Sequence, residues 1–378
     1  MARVNSEIPF GIGCFHFGIN KAAPYAIKWS KYLSELERAL SAISGLGQLV
    51  MEDRTIEDFE IKVDKELPVF GESYDFVPYF NYLELAFDLH IPFAEQEKLN
   101  PWPGGQKSFY TEDYRVYIYA TYYGLPIAFI ELVDPKPNSS PSDAVFIVRE
   151  FLSEQINKRI DSFINFNILG PSPFHADLFI EVNNKFPQER SDNFIISEEI
   201  SHGYGRVSIS FNSQSYDSVH AAAESFFFNA KRELGLFYLI ILLQNAEDKQ
   251  WWNLFNSVAN LSKKLQSLWL KRLFLRPSKK VYEIVSALSA FEIIKIRDTD
   301  QIKDHYRNVY SSQVSYLKWH IDDLTKAQET HPINQVTNLI QFINDSLKHK
   351  STILNNLIVG LLGGIVGAIL TIIFSGQT

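Results

Sequence analysis

The stretch YRVYIYATYYGLPIAFIELV, residues 114–133, decides the fold class. Residues 114–123 and 125–133 are two β-rich runs that meet near Gly124, the strongest hairpin signal in the chain. Working outward, residues 59–63, 176–182, 194–197 and 206–211 also read as strands, and in the last Val207, Ile209 and Phe211 alternate onto one face. Residues 24–43 have helical spacing (Ile27, Leu33, Leu36, Leu40, Ile43) that stops near Gly45 and Gly47. The loop DPKPNSSPSD, residues 134–143, ends in an N-cap residue type and predicts a helix through about Asn167. Strands and helices are therefore mixed over residues 1–215, the expectation for an α+β domain.

After Asp217 the pattern changes to long helices, expected at 217–245, 251–275, 279–296 and 300–328, so residues 216–330 read as a helical connector. A chain of 378 residues with 46% apolar content can bury a sizeable core, which excludes a disordered or fibrous protein and suggests two or three structural units. The single cysteine, Cys14, rules out a disulfide framework and a thiolate zinc site, and suits a reducing cytosol.

The C-terminal region carries a different signal. Residues 351–378 hold no charge, and residues 354–374 are almost purely apolar. At about 1.5 Å per residue such a run makes roughly 30 Å of helix, the thickness of a bilayer core. It predicts one transmembrane helix of the tail-anchored kind, with the lipid bilayer as a partner. Lys348, His349 and Lys350 just before it predict a cytoplasmic N-terminal body by the positive-inside rule, at the inner membrane if the source is bacterial. Gly360, Gly363, Gly364, Gly367, Ala368 and Thr371 share one helical face, as in helices that pack closely in lipid, and Asn355 and Asn356 would sit near the cytoplasmic mouth of any pore.

Upstream, Ile333, Val336, Ile340, Ile343 and Leu347 alternate spacings of three and four after Pro332. Residues 331–350 thus read either as the seam of a parallel coiled-coil stalk in a homo-oligomer such as a tetramer, or as an amphipathic helix folded onto its own domain.

Between Asp248 and Glu283, 34 residues hold no acid and eight bases: Lys249, Lys263, Lys264, Lys271, Arg272, Arg276, Lys279 and Lys280. The whole chain carries −8, so the rest of it carries −16. Such segregation fits a polyanion partner, and three readings compete: a solvated helix face, a nucleotide or nucleic-acid site, and contact with anionic lipid.

Catalytic signals are poor. The chain has no GxGxxG after a strand, Walker loop, GxSxG or HExxH, which argues against an enzyme of those types and calls for no cofactor. Cys14 and His16 share a face if their segment is a strand. Glu60-Ile61-Lys62, with Asp53 and Asp58 upstream, has the pattern in which two carboxylates hold magnesium and a lysine supports the attacking water. His175, Asp177, Ser201, His202 and Arg206 could face a pocket, while His220 and Glu224, four apart, lack further metal ligands at usable spacing.

The layout carried by residues 263–280, 333–347 and 360–371 resembles the single-pass membrane effectors of bacterial antiphage systems that signal with nucleotides or oligonucleotides, such as the Hailong type. That resemblance, in layout alone, implies a nucleotide- or oligonucleotide-gated channel in antiviral defence. The alternatives are an adaptor or receptor that the span merely tethers, and a tethered hydrolase or nuclease.

Overall fold

A computed structural model describes residues 7–20, 24, 26–54, 58–62, 83–99, 111–120, 125–136, 140–159, 161–169, 174, 176–183, 193–201, 204–266, 277–311, 315–326, 331–342, 345 and 359–360. The chain forms two compact units: Met1–Ala246 with Ile302–Ala327, and Glu247–Gln301 with Gln328–Thr378.

The first unit is built on β1 (Glu7–Ile19), whose eleven central residues are all but completely buried. A strand covered on both faces reads as a continuous apolar run, which is why β1 shows little alternation in sequence. Antiparallel partners are β7 (Ile127–Leu132), β8 (Ile164–Ile168) and β9 (Ala176–Asn183). Between β8 and β9 in sequence the Leu169 and Phe174 N–H groups donate to the Cys14 and Ile12 carbonyls, so both residues also pair with β1. The hairpin expected from residues 114–133 forms from β6 (Asp113–Tyr119) and β7, paired Tyr114 to Leu132 through Tyr119 to Ile127. Beyond β6 lie β5 (Leu83–His90) and β3 (Leu46–Asp53); at the other side β9 meets β11 (Tyr204–Asn212), which pairs with β10 (Phe194–Ser201). A separate ribbon joins β2 (Ala26–Lys28) to β4 (Glu60–Lys62).

The β9–β11 pairing is parallel and the others are antiparallel, so the nine-stranded sheet is mixed. One face packs on α1 (Trp29–Ser41) and α3 (Pro141–Asn157), the other on the first half of α4 (Val219–Gln266) and on Ile302, Val309, Tyr316, Leu317 and Ile321. A short α2 (Phe93–Leu99) lies between β5 and β6 in sequence. The fold is thus α/β with a large mixed sheet, which corrects the expected α+β class. Parallel pairing of strands that are distant in sequence, with helices on both faces, has no local signature.

Several boundaries also shift. Residues 26–28 of the helix expected at 24–43 form β2, and the helices expected at 279–296 and 300–328 are instead one helix over Pro277–Val309 and a shorter one over Lys318–Lys326. The helix after Asp143 ends at Asn157, whose Oδ1 accepts the Phe166 N–H (2.8 Å) and whose Nδ2 donates to the Phe166 carbonyl (3.1 Å), leaving 164–168 free to be β8. The helices expected at 217–245 and 251–275 are one helix, because NAEDKQ, residues 245–250, contains no glycine or proline to stop it. Ser218 Oγ accepts the Ala221 N–H (3.1 Å) and caps its start.

In the second unit, α4 continues to Gln266, α5 (Pro277–Val309) runs back, and a helix over 333–342, α7, packs on both. Trp251, Leu254, Val258 and Leu261 of α4, Val281, Ile284, Leu288 and Phe291 of α5, and Val336 and Ile340 of α7 form its core. The first residues of the expected stalk seam are therefore occupied within the chain. Ile343 and Leu347 lie outside the described residues. The remaining helix, α6 (Lys318–Lys326), belongs to the first unit, where Glu233 of α4 accepts the Tyr316 (2.8 Å) and Leu317 (2.7 Å) N–H groups ahead of it.

Among the described residues no helix is long and apolar enough to cross a membrane. This overturns the expected transmembrane helix and the tail-anchored, single-pass membrane placement that followed from it. The longest helix, α4, has its apolar run at 234–243 bounded by Lys231, Arg232 and Glu233 on one side and by Glu247, Asp248 and Lys249 on the other. That run is about half the length a spanning helix needs. Of the apolar run at 354–374 only Val359 and Gly360 are described, both exposed. Asn355, Asn356, Gly363, Gly364, Gly367, Ala368 and Thr371 lie outside the described residues.

Gly11 fixes the spacing between β1 and α3. A Cβ there would stand 2.3 Å from Val145 Cγ2 and 2.4 Å from the Pro141 carbonyl oxygen, the latter a backbone atom that can move only with the helix. Gly11→Ala is expected to cost about 2–3 kcal/mol through overpacking. A urea-unfolding midpoint unchanged from the natural chain would show that α3 is not held at this distance.

Candidate functional site

Of the residues that the sequence marks as a polyanion site, Lys263, Lys279 and Lys280 are described and lie at facing ends of α4 and α5. Lys263, near the end of α4, and Lys279 and Lys280, in the first turn of α5, are exposed. Lys264 lies on α4, and Lys271, Arg272 and Arg276 lie outside the described residues, in the 267–276 connection between the two helices. The antiparallel return of α5 thus brings bases 16 positions apart in sequence to one end of the helical unit. Lys279 stands 4.0 Å from Glu283 in an exposed ion pair, which neutralises little at the surface.

The same two helices border a groove of about 560 Å³, in the size range of small-ligand sites. Its α4 side presents Gln250, Asn253, Ser257 and Asn260, at spacings of three, four and three. Its α5 side presents Lys280, Glu283, Ala287, Ala290 and Ile294 at the matching spacings. The two stripes flank the apolar core, so Leu254, Leu261, Ile284 and Phe291 contribute to the lining. Carboxamides carry both donor and acceptor and can pair with a base edge, small side chains on α5 leave room, and Lys280 places positive charge at the end nearest the α4–α5 turn.

A second arrangement, which the sequence did not single out, lies in the first unit. Glu131, near the end of β7, shares its sheet face with Ile127 and Phe129, the face that α4 covers, and is 4% exposed. Its Oε1 stands 3.6 Å from His220 Nδ1, beyond hydrogen-bond reach, and its Oε2 has no hydrogen-bond partner. Both residues line a cavity of about 160 Å³ with Glu7, Ile8, Pro9, Arg115, Leu132, Val133 and Asp134. Burial pushes the Glu131 carboxyl above the usual range; His220 and Arg115 pull it down, while Asp88 and Glu224 push it up. The neighbouring Tyr117 hydroxyl is pushed up to about 12, first by burial and then by Glu131. Asp134 adopts φ +46°, the one non-glycine residue among those described to do so. A lone acid in the apolar run IAFIELV is the signal that could have marked Glu131 from sequence.

Family models, curated proteins and solved structures offer no match to this chain. Its sites are therefore read from their own chemistry.

Several other sequence candidates have structural partners. Asp53 Oδ2 accepts the Trp29 indole N–H (3.1 Å), and both Asp58 oxygens accept from Ser30, its N–H at 2.9 Å and its hydroxyl at 3.0 Å, at the start of α1. Neither carboxylate is turned with Glu60 toward a common ion. Among the described residues no group of three or more His, Cys, Asp or Glu is placed to hold a metal. Cys14 and His16 do share a face of β1, but burial pushes the thiol up and lowers the imidazole to about 3, so both are neutral and no thiolate–imidazolium pair forms. Asp177 accepts the Ser142 N–H (2.9 Å) at the start of α3, and Arg206 pairs with Glu7 (3.0 Å) while lying 3.7 Å over the Phe179 ring. Ser201 ends β10; His175 and His202 lie outside the described residues.

Glu131 makes a signed pH prediction. Its folded-state proton affinity exceeds that of an ordinary carboxyl, so its contribution to stability is present below about pH 4.5 and is lost as pH rises through the raised folded value. Arg115, His220, Asp88, Glu224, Tyr117, Glu7 and Asp134 face or adjoin it and are retained in the comparison. Glu131→Gln is expected to stabilise the chain by roughly 1–2 kcal/mol near pH 8, with the gain vanishing near pH 4. Thermal melts across that range check it; a gain independent of pH would show that the carboxyl is not the titrating group.

Proposed function

We propose that this chain is a nucleotide- or oligonucleotide-binding effector whose helical unit receives the ligand, with binding rather than catalysis as its activity. The observation that carries the reading is the groove between α4 and α5, in which Gln250, Asn253 and Asn260 line a space of about 560 Å³ that has Lys280 at the end where the bases collect. Phosphates would lie toward Lys263, Lys279 and Lys280, and a base would extend along the carboxamides, above the apolar floor. Lys264, Lys271, Arg272 and Arg276 fall between these lysines in sequence and share their charge. A gated channel would require a membrane span, and no described helix is long and apolar enough to supply one. An antiviral setting rests on the resemblance in layout alone.

A second reading, an adaptor that docks another protein or a second copy of itself, is favoured by large apolar side chains left exposed on the same unit, such as Trp252, Tyr282 and Phe342. It differs in needing no basic residue.

Fluorescence anisotropy with a labelled single-stranded oligonucleotide, on the full chain and on the variant Lys263→Glu/Lys279→Glu/Lys280→Glu, separates the two. Acids in the first turn of α5 favour its macrodipole, so this variant should fold. The nucleotide reading expects affinity to fall by at least about tenfold at low salt and to show a shallower salt dependence. Equal affinity in both proteins would overturn it, as would the absence of any binding by the natural chain.

A further inference from the structure

We propose that the cavity lined by Glu131, His220, Arg115, Glu7 and Asp134 is a binding site for the ammonium group of a short alkylamine. This site lies wholly in the first unit and is independent of the nucleotide reading.

The charges in the lining set the sign of the ligand. Three carboxylates, from Glu7, Glu131 and Asp134, face one guanidinium and one imidazole. Arg115 is already engaged, with its Nε donating to Asp88 Oδ1 at 2.9 Å, and Glu7 is engaged by Arg206 at 3.0 Å. What remains is Glu131, whose side chain is 6% exposed and whose Oε2 receives no hydrogen bond, together with exposed Asp134, which has no ion-pair partner among the described residues. A buried carboxylate lacking donors is costly, and a group bringing both N–H donors and positive charge removes that cost. His220 cannot do so at 3.6 Å in the present geometry.

Size and lining narrow the class. A space of about 160 Å³ corresponds to roughly five water-sized groups, enough for a chain of three or four carbons with its ammonium head. Ile8, Pro9, Leu132 and Val133 supply apolar contact for that chain. Asp134 is held with φ +46°, next to Val133, whose N–H donates to the Asp113 carbonyl, so the turn that carries the second carboxylate is anchored to β6.

The test titrates the full chain with propylammonium chloride, read by calorimetry and by the His220 imidazole proton resonance. The natural chain should bind saturably below about 50 mM near pH 8, and the His220 resonance should move with the same midpoint. Affinity should weaken toward pH 5, as protons compete for the carboxylate. Glu131→Gln, which removes an unpaired buried charge and should fold at least as well, should bind at least about tenfold more weakly. 1-Propanol, similar in shape without the charge, and tetramethylammonium, charged without N–H donors, should both fail to compete. Equal binding by Glu131→Gln would overturn the proposal, and so would competition by tetramethylammonium or the lack of saturable binding in the natural chain.

Discussion

Burial of β1 on both faces is the constraint on which the first unit depends. Every backbone N–H and C=O in such a strand needs a partner, because no water reaches it. The chain satisfies this by laying β7 along residues 10–14 and by following β1 with β8, Leu169, Phe174 and β9. Since β7 is thereby placed inside the sheet, Glu131 inherits its burial from a strand chosen for hydrophobicity. The acid pairs across the sheet with Phe10 and Arg115, so its desolvation follows from register. The first turn of α4 covers the same face, which brings His220 to it. One backbone requirement thus produces both the core and a buried carboxyl whose Oε2 lacks a hydrogen-bond donor.

The helical unit rests on a different economy. Its core needs only every third and fourth residue of α4, α5 and α7, which leaves the positions beside the core free of packing duty. On α5 these are filled with alanine at 287 and 290, which keep the groove open. On α4 they are carboxamides and a hydroxyl. At the opposite end from the α4–α5 turn, His331 is enclosed by Trp251 and Phe291 and stands 3.1 Å from both Glu247 and Asp248, so the chain entering α7 is tied to the base of the pair.

Legibility from sequence followed the range of the interactions. The β6–β7 hairpin, β9 and the three-and-four spacing of Ile333, Val336 and Ile340 are local patterns, and they are readable. The β1 strand hid because a doubly buried strand lacks alternation, and the mixed sheet hid because the β9–β11 pairing is non-local. The apolar pattern lapses at 245–250 and predicts two helices, although the backbone has no reason to break there. At the candidate sites, the basic residues stood out by charge alone, whereas the polar stripe of Gln250, Asn253, Ser257 and Asn260 gains meaning only once α5 returns beside it. Glu131 required knowing which strand sits inside the sheet. The apolar run at 354–374 was the loudest signal in the chain, yet no described helix has spanning character.

Charge separation keeps the two proposed ligands apart. The basic end of the helical unit is not cancelled by the nearest acids on α4: Asp248 and Lys263 are 15 residues apart, about 22 Å of helix. That is more than two screening lengths at physiological salt, so an approaching anion feels the lysines and not Glu247 or Asp248. A nucleotide approaching the Glu131 cavity would instead meet three carboxylates within one small opening. An amine at the basic end would meet the reverse. Each proposed ligand would be selected as much by the repulsion it would suffer at the other site as by the contacts it would gain at its own.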